Sequence, residues 1–157
     1  MDPLRSTFVA GVAATGAFVV ALVVTGVVVG GTRLFVFSTI AGLCAIGGPP
    51  YCALNSPAAV ALTALAFLAL FVVAWPLVFA AWTWALPGES GVAHGVTFTL
   101  VLWAGYAVTV VYGVSFGSGS LAGNAGLLAA ALVSYLVYGA VLGGTYDYVA
   151  AHRTLME

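Results

Sequence analysis

Residues 58–87 read AAVALTALAFLALFVVAWPLVFAAWTWALP, with no Lys, Arg, Asp or Glu among them. About 20 apolar residues carry a helix through a hydrocarbon core of about 30 Å, so this stretch spans a bilayer with residues to spare. Ala58 to Ala85 alone is 28 residues, and at about 1.5 Å per residue its helix is roughly 42 Å long. Such a helix has to tilt, kink or protrude into the headgroups. Pro76 supplies a kink: its ring clashes with the carbonyl of Val72, and its missing N–H removes one helical hydrogen bond. A neighbouring helix or a local adjustment must then satisfy the freed carbonyl. Trp75-Pro76 therefore reads as a fixed kink packed against a neighbour, with a hinge as the alternative. Trp82 and Trp84 fall near the end of the span, where amphipathic rings favour the headgroup level. Leu86-Pro87-Gly88-Glu89-Ser90 stops the helix, and Glu89 marks the return to water.

Working outward, three similar stretches surround this one. Phe8 to Val29 has no charge across 22 residues, too long and continuous for a signal-peptide core. Its alanines, with Gly26 and Gly30 at GxxxG spacing, give it a small face for a neighbour. Gly91 to Gly113 makes the third span and Leu121 to about Tyr146 the fourth. Composition agrees: 64% of the 157 residues are hydrophobic and only 4% charged, with a mean hydropathy of +1.21. Soluble domains carry roughly a quarter charged residues, so a soluble globular fold is excluded. The formal charge of −1 leaves no basic footprint for nucleic acid. The expectation is an all-α, integral membrane four-helix bundle in one transmembrane domain, with spans at about 8–29, 58–86, 91–113 and 121–146.

Between the first two spans, Leu34 to Ile46 is apolar but only 13 residues long. That is short for a span and suits an interfacial or re-entrant segment at about 34–47, ended by Gly47-Gly48-Pro49-Pro50. Ser56 or Asn55 caps the following helix, with Pro57 in its first turn. The connection from Arg33 to Ser56 is 24 residues, long for an idle helix–helix link, and it is where a lid, a partner contact or a plug would sit. Cys44 and Cys52 lie in it, eight apart. That spacing matches no zinc, haem or redox motif, so they read as two thiols, with a loop-clamping disulfide outside the membrane as the alternative.

Candidate functional positions are few. His94 opens the third span close to Glu89; the pair could titrate near neutral pH, although an ordinary interfacial histidine is the favoured reading. Gly105, Thr109 and Gly113 recur four apart, beside the bulk of Trp103 and Tyr106. In the fourth span Gly139 and Gly143 share one face, with Tyr135 and Tyr146 beyond either end and Tyr138 one position off that line. These glycines and aromatics are packing or interface candidates. No acidic or basic side chain falls mid-span, as pumps and many transporters require. No nucleophile–base–orienter set lies together in the sequence, and a triad drawn from distant residues has only two histidines, at span ends, to draw on. A catalytic, cofactor or metal site is not expected.

Four spans put both ends of the chain on one side. Arg5 and Arg153 lie there and Arg33 opposite, so the positive-inside rule leans toward cytoplasmic N- and C-termini in the cell membrane.

From Val73-Ala74-Trp75-Pro76-Leu77-Val78-Phe79 onward the sequence resembles a family of uncharacterised small four-span membrane proteins of halophilic archaea. The resemblance continues through Leu86-Pro87-Gly88-Glu89, His94-Gly95-Val96-Thr97-Phe98 and Leu100-Val101-Leu102-Trp103. It returns at Tyr135-Leu136-Val137-Tyr138-Gly139, Leu142-Gly143 and Tyr146, and covers roughly residues 58–148. In that family the position of Tyr135 is often a histidine, so the tyrosine here speaks against a family-wide metal or haem ligand. Some relatives are associated with haem-copper terminal oxidases, which implies an accessory subunit or assembly factor of a respiratory complex. The reading is thus a non-catalytic membrane protein partnered by the lipid bilayer and by other membrane subunits or its own copies. The alternatives are a small oligomeric transporter or channel, and a quinone- or cofactor-binding protein with Trp75, Trp103 and the tyrosines around an apolar pocket.

Overall fold

A computed structural model describes residues 3–29, 35–85, 90–111 and 125–154. Helix α1 runs from Pro3 to Val29. Three short helices follow: α2 (Phe35–Ile40), α3 (Leu43–Gly47) and α4 (Pro49–Ala53). The central apolar stretch forms one rod, made of α5 (Pro57–Leu68), a π-helical turn (Ala69–Ala74) and α6 (Trp75–Ala85). Then come α7 (Gly91–Val111) and α8 (Ala125–Thr154). The described residues contain no strand. Four helices are long and apolar enough to cross a membrane: Leu4–Val28, Pro57–Ala85, Gly91–Val111 and Ala125–Ala150. The protein is an all-α, four-helix membrane bundle.

The helices close a ring in which α1 packs on α8, α8 on α7, α7 on α6, and α6 with its π turn back on α1. In lipid this arrangement is dictated by backbone chemistry as much as by side chains, because each helix satisfies its own N–H and C=O groups. What remains is to fit side chains between them.

Several boundaries differ from the sequence reading, each for a local reason. Helix α1 starts at Pro3 rather than Phe8; proline is tolerated in a first turn, and Ser6 and Thr7 are buried inside the bundle. Ser56, not Asn55, caps α5, its hydroxyl accepting the Ala59 N–H at 3.2 Å. Helix α8 runs to Thr154, past Tyr146, where the fourth span was expected to end. The start expected at Leu121 and the end expected at Gly113 lie outside the described residues.

The single segment expected at 34–47 is instead broken into one-turn helices. Gly42 (φ 74°) separates α2 from α3, and Gly48 (φ 72°) separates α3 from α4. Both angles are in the left-handed region that glycine enters without steric cost. Together α2–α4 form a crown over one end of the rod. Cys44 and Cys52, read as thiols from sequence, are joined there in a disulfide.

Candidate functional site

The interior is organised around the break that Pro76 makes. In α-helical register the carbonyl left without a partner would be that of Val72, four residues back. The π turn changes this. The Trp75 N–H reaches the Leu70 carbonyl, five residues back, so the carbonyl facing the missing Pro76 N–H becomes that of Phe71. Tyr138 supplies the substitute donor: its hydroxyl, on α8, donates to the Phe71 carbonyl at 2.7 Å. Both residues are fully buried. On the α1 side a Cβ at Gly11 would collide with the Val72 carbonyl and the Pro76 ring. The kink is clasped between a glycine and a tyrosine from two different helices.

Around the clasp stands a column of rings. Phe71 stacks on Phe67 and on Phe18, each at 4.8 Å between centroids. Phe18 meets Tyr135 at 5.1 Å and Tyr138 at 5.4 Å, and Tyr106 lies 6.3 Å from Tyr135. These separations match offset and tilted packing, which adds to the attraction from contact area. A second set lies toward the other end of the rod, where Phe98 meets Phe79 at 5.7 Å, Trp82 at 5.9 Å and Trp75 at 6.4 Å.

Helices α7 and α8 meet through glycine. A Cβ at Gly95 would strike the Gly139 carbonyl, and one at Gly143 would strike the Gly91 carbonyl. Thr99 fits against Gly139 while its hydroxyl donates to the Gly95 carbonyl at 3.0 Å. Small residues four apart on two antiparallel helices bring their backbones into contact, the favoured mode of association in lipid. The seam ends at Asp147, whose carboxylate accepts the Gly91 N–H at 2.6 Å. That N–H is one of the unpaired donors of the first turn of α7, and the helix dipole favours a negative charge there. Ser90 adds a hydroxyl cap to the same turn, accepting from Ala93 N–H at 3.3 Å.

The positions singled out from sequence scatter across this architecture. Pro76, Tyr135, Gly139 and Gly143 are buried in it, and Trp75 is half-buried against Phe98. Trp103 is half-buried, its indole N–H donating to the Leu128 carbonyl at 3.0 Å. Gly105 faces outward, with nothing near enough to meet a Cβ. His94 is half-buried in the first turn of α7. Glu89, its expected neighbour, lies outside the described residues. Trp82, placed at the headgroup level by sequence, turns its ring toward Phe98 and encloses its indole nitrogen, whereas Trp84 is exposed.

Sequence reasoning gave Gly11, Gly91, Gly95 and Asp147 no packing role and did not find the partner of Tyr138. The GxxxG spacing of Gly91 and Gly95 was available as a signal. Tyr138 carried none, since its partner is a carbonyl exposed only by the change of helical register.

Chemically, several polar side chains of the interior bond to backbone carbonyls, among them Tyr138, Thr99 and Ser134. Ser134 donates to the Ala130 carbonyl at 2.8 Å and lies 3.3 Å from the Thr25 hydroxyl. The hydroxyls of Ser6, Thr15 and Thr63 are buried without a partner. Among the described residues no three His, Cys, Asp or Glu side chains come together to hold a metal ion. The profile of DUF6789, a family of unknown function, matches residues 1–157, and the chain belongs to that family. No curated protein and no solved structure matches it.

Proposed function

We propose that this DUF6789 member is a non-catalytic subunit or assembly factor of a membrane complex, docking through the outward flank of the α5–α6 rod. The observation that carries the reading is the contrast between inside and outside. The interior is filled by interlocked rings, and the buried Tyr138 hydroxyl is engaged by the Phe71 carbonyl. The rod that bears half of those rings is the least enclosed of the four spans. Only 22% of its most apolar window is buried, against 39% for α1 and for α8. Val60, Leu62, Leu65, Leu68, Val73 and Leu77 line its outer side. A transporter needs a polar path near mid-membrane and a quinone protein needs a pocket with convergent polar groups. The resemblance noted from sequence makes a haem-copper oxidase the first complex to test.

In the same reading the crown faces outward and the two ends of the chain face the cytoplasm. Arg5 and Arg153 against Arg33 support this through the positive-inside rule. The Cys44–Cys52 disulfide supports it independently, because such bonds persist on the oxidising side.

The test is photocrosslinking from single positions on the rod, Leu65 and Val73, in native membranes, followed by mild detergent extraction, size separation with visible absorbance, and identification of the attached chain. One recurrent membrane partner crosslinked from both positions is the expected result. Migration alone, as a colourless homo-oligomer crosslinked only to itself or to lipid, sinks the subunit reading and moves attention to transport assays in liposomes.

A further inference from the structure

We infer that the crown α2–α4 is a reduction-sensitive lid over the outer end of the aromatic column, with the Cys44–Cys52 disulfide as its fastener. The three helices have six, five and five residues, and helices of one turn have no stability of their own in water. Their joints are Gly42, Gly48 and Leu54, all at positive φ. Leu54 is the telling one, since a branched side chain rarely occupies that region unless its surroundings hold it. The crown's backbone hydrogen bonds are local: Ala41 to Phe37, Gly48 to Cys44, Cys52 to Gly48 and Leu54 to Pro50. Each of these closes a single turn.

A covalent bond and a ring pair reach further. The disulfide fastens α3 to α4, which leads directly into α5. The Phe37 ring of α2 meets Phe67 edge-on at 5.2 Å, beside the buried Ile40, Ala41 and Cys44. Phe67 is the outermost ring of the column on the rod. One turn further out on the same face lies Thr63, buried, with a hydroxyl that has no partner. An unpaired hydroxyl in a dry site is unfavourable, and water would satisfy it as soon as the cover lifted. Helices α2 and α4 pack on α5, so the helix that carries this hydroxyl lies beneath marginal helices held by one covalent bond.

The opening chemistry is thiol–disulfide exchange with a dithiol reductant. One thiolate of the reductant attacks the sulfur of Cys52, half-buried where Cys44 is buried. The Cys44–Cys52 bond breaks and Cys44 leaves as a thiolate that takes up a proton. The second reductant thiol then attacks the mixed disulfide and releases Cys52, so the reductant ends oxidised and the chain carries two thiols.

This inference rests on the outward placement of the crown proposed above, but its test does not. Hydrogen exchange is measured by mass spectrometry on the whole chain in detergent, where both ends meet the reductant whatever the orientation. Reduction with a phosphine is expected to speed exchange at residues 35–63 by about 10- to 100-fold, the scale of closing a short loop, and to leave the α7–α8 seam unchanged. The variant Cys44→Ala/Cys52→Ala is expected to show the same pattern without reductant. Unchanged exchange at residues 35–63 overturns the lid, and so does equal acceleration along α8, which would mean general loosening. Alkylation of both cysteines in unreduced native membranes overturns it as well, because the fastener would then not exist in the cell.

Discussion

The α7–α8 seam and the α5–α6 rod meet the same requirement, close packing in a solvent that gives apolar surfaces no reason to associate, by opposite means. The seam removes side chains: Gly91, Gly95, Gly139 and Gly143 let carbonyl and Cα approach directly. The rod adds them, filling the ring of helices with Phe67, Phe71 and Phe79. A seam of glycines tolerates no added atom, because what it meets is backbone. A column of rings has more freedom to adjust, but it contains a broken helix and depends on one distant hydroxyl. The two regions should therefore fail differently.

The largest effect belongs to the seam. Gly95→Ala places a methyl against the Gly139 carbonyl, and neither backbone can move without parting the helices. A loss of about 3 kcal/mol is expected, at the upper end for overpacking, read from denaturant-induced unfolding in bicelles. A change under about 0.5 kcal/mol, the size of an ordinary surface substitution, would mean that the seam is looser than its geometry.

In the rod the sensitive atom is the Tyr138 hydroxyl. Tyr138→Phe keeps the ring and leaves the Phe71 carbonyl without its donor, for an expected loss of about 1–2 kcal/mol. Pro76→Ala restores an N–H that can serve the same carbonyl five residues back. In that background Tyr138→Phe should cost less by about 1 kcal/mol, a coupling that a double-mutant cycle isolates. Additive losses would show that the tyrosine and the proline are not two halves of one repair.

These cases show which parts of the molecule were legible in the sequence. Span number and class followed from the absence of charge over long windows, a signal that needs no partner to interpret. The Pro76 break was equally plain, because proline always lacks its N–H. Its repair was not, because it requires knowing that α8 passes the break and that the register becomes π. Gly139 and Gly143 were visible on one face, while their counterparts Gly91 and Gly95 sat at the start of a span, where glycine also reads as a turn. The end expected at about Tyr146, just before Asp147, was short for a related reason. A carboxylate at the end of an apolar run signals water, unless another helix offers a free N–H for it to accept. The crown was legible as unusual but not as three helices, since segments of five or six residues have no period to detect.

Asp147 offers a smaller perturbation at the end of the seam. Asp147→Asn retains an oxygen for the Gly91 N–H and removes the charge that the α7 dipole favours. The loss should be about 0.5–1 kcal/mol, whereas Asp147→Leu, which also deletes the acceptor, should lose more. Equal effects from the two variants would assign the contribution to packing and not to the cap.

The smallest effect is expected at Gly105, and it is informative because it separates glycine as a residue type from glycine as a contact. Gly105 stands on α7 like Gly95, ten positions further on, but faces outward with nothing to meet a Cβ. In the isolated bundle Gly105→Ala should change stability by less than about 0.5 kcal/mol in either direction. The bulkier Gly105→Leu should be tolerated too, in sharp contrast with the single methyl at Gly95. Both variants are then carried into native membranes. If the complex docks only on the rod flank, its yield after extraction is unchanged in both. If Gly105→Leu folds normally but loses the complex, the docking surface extends onto α7, and the outer face of the seam helices works by the same removal of side chains as the seam itself.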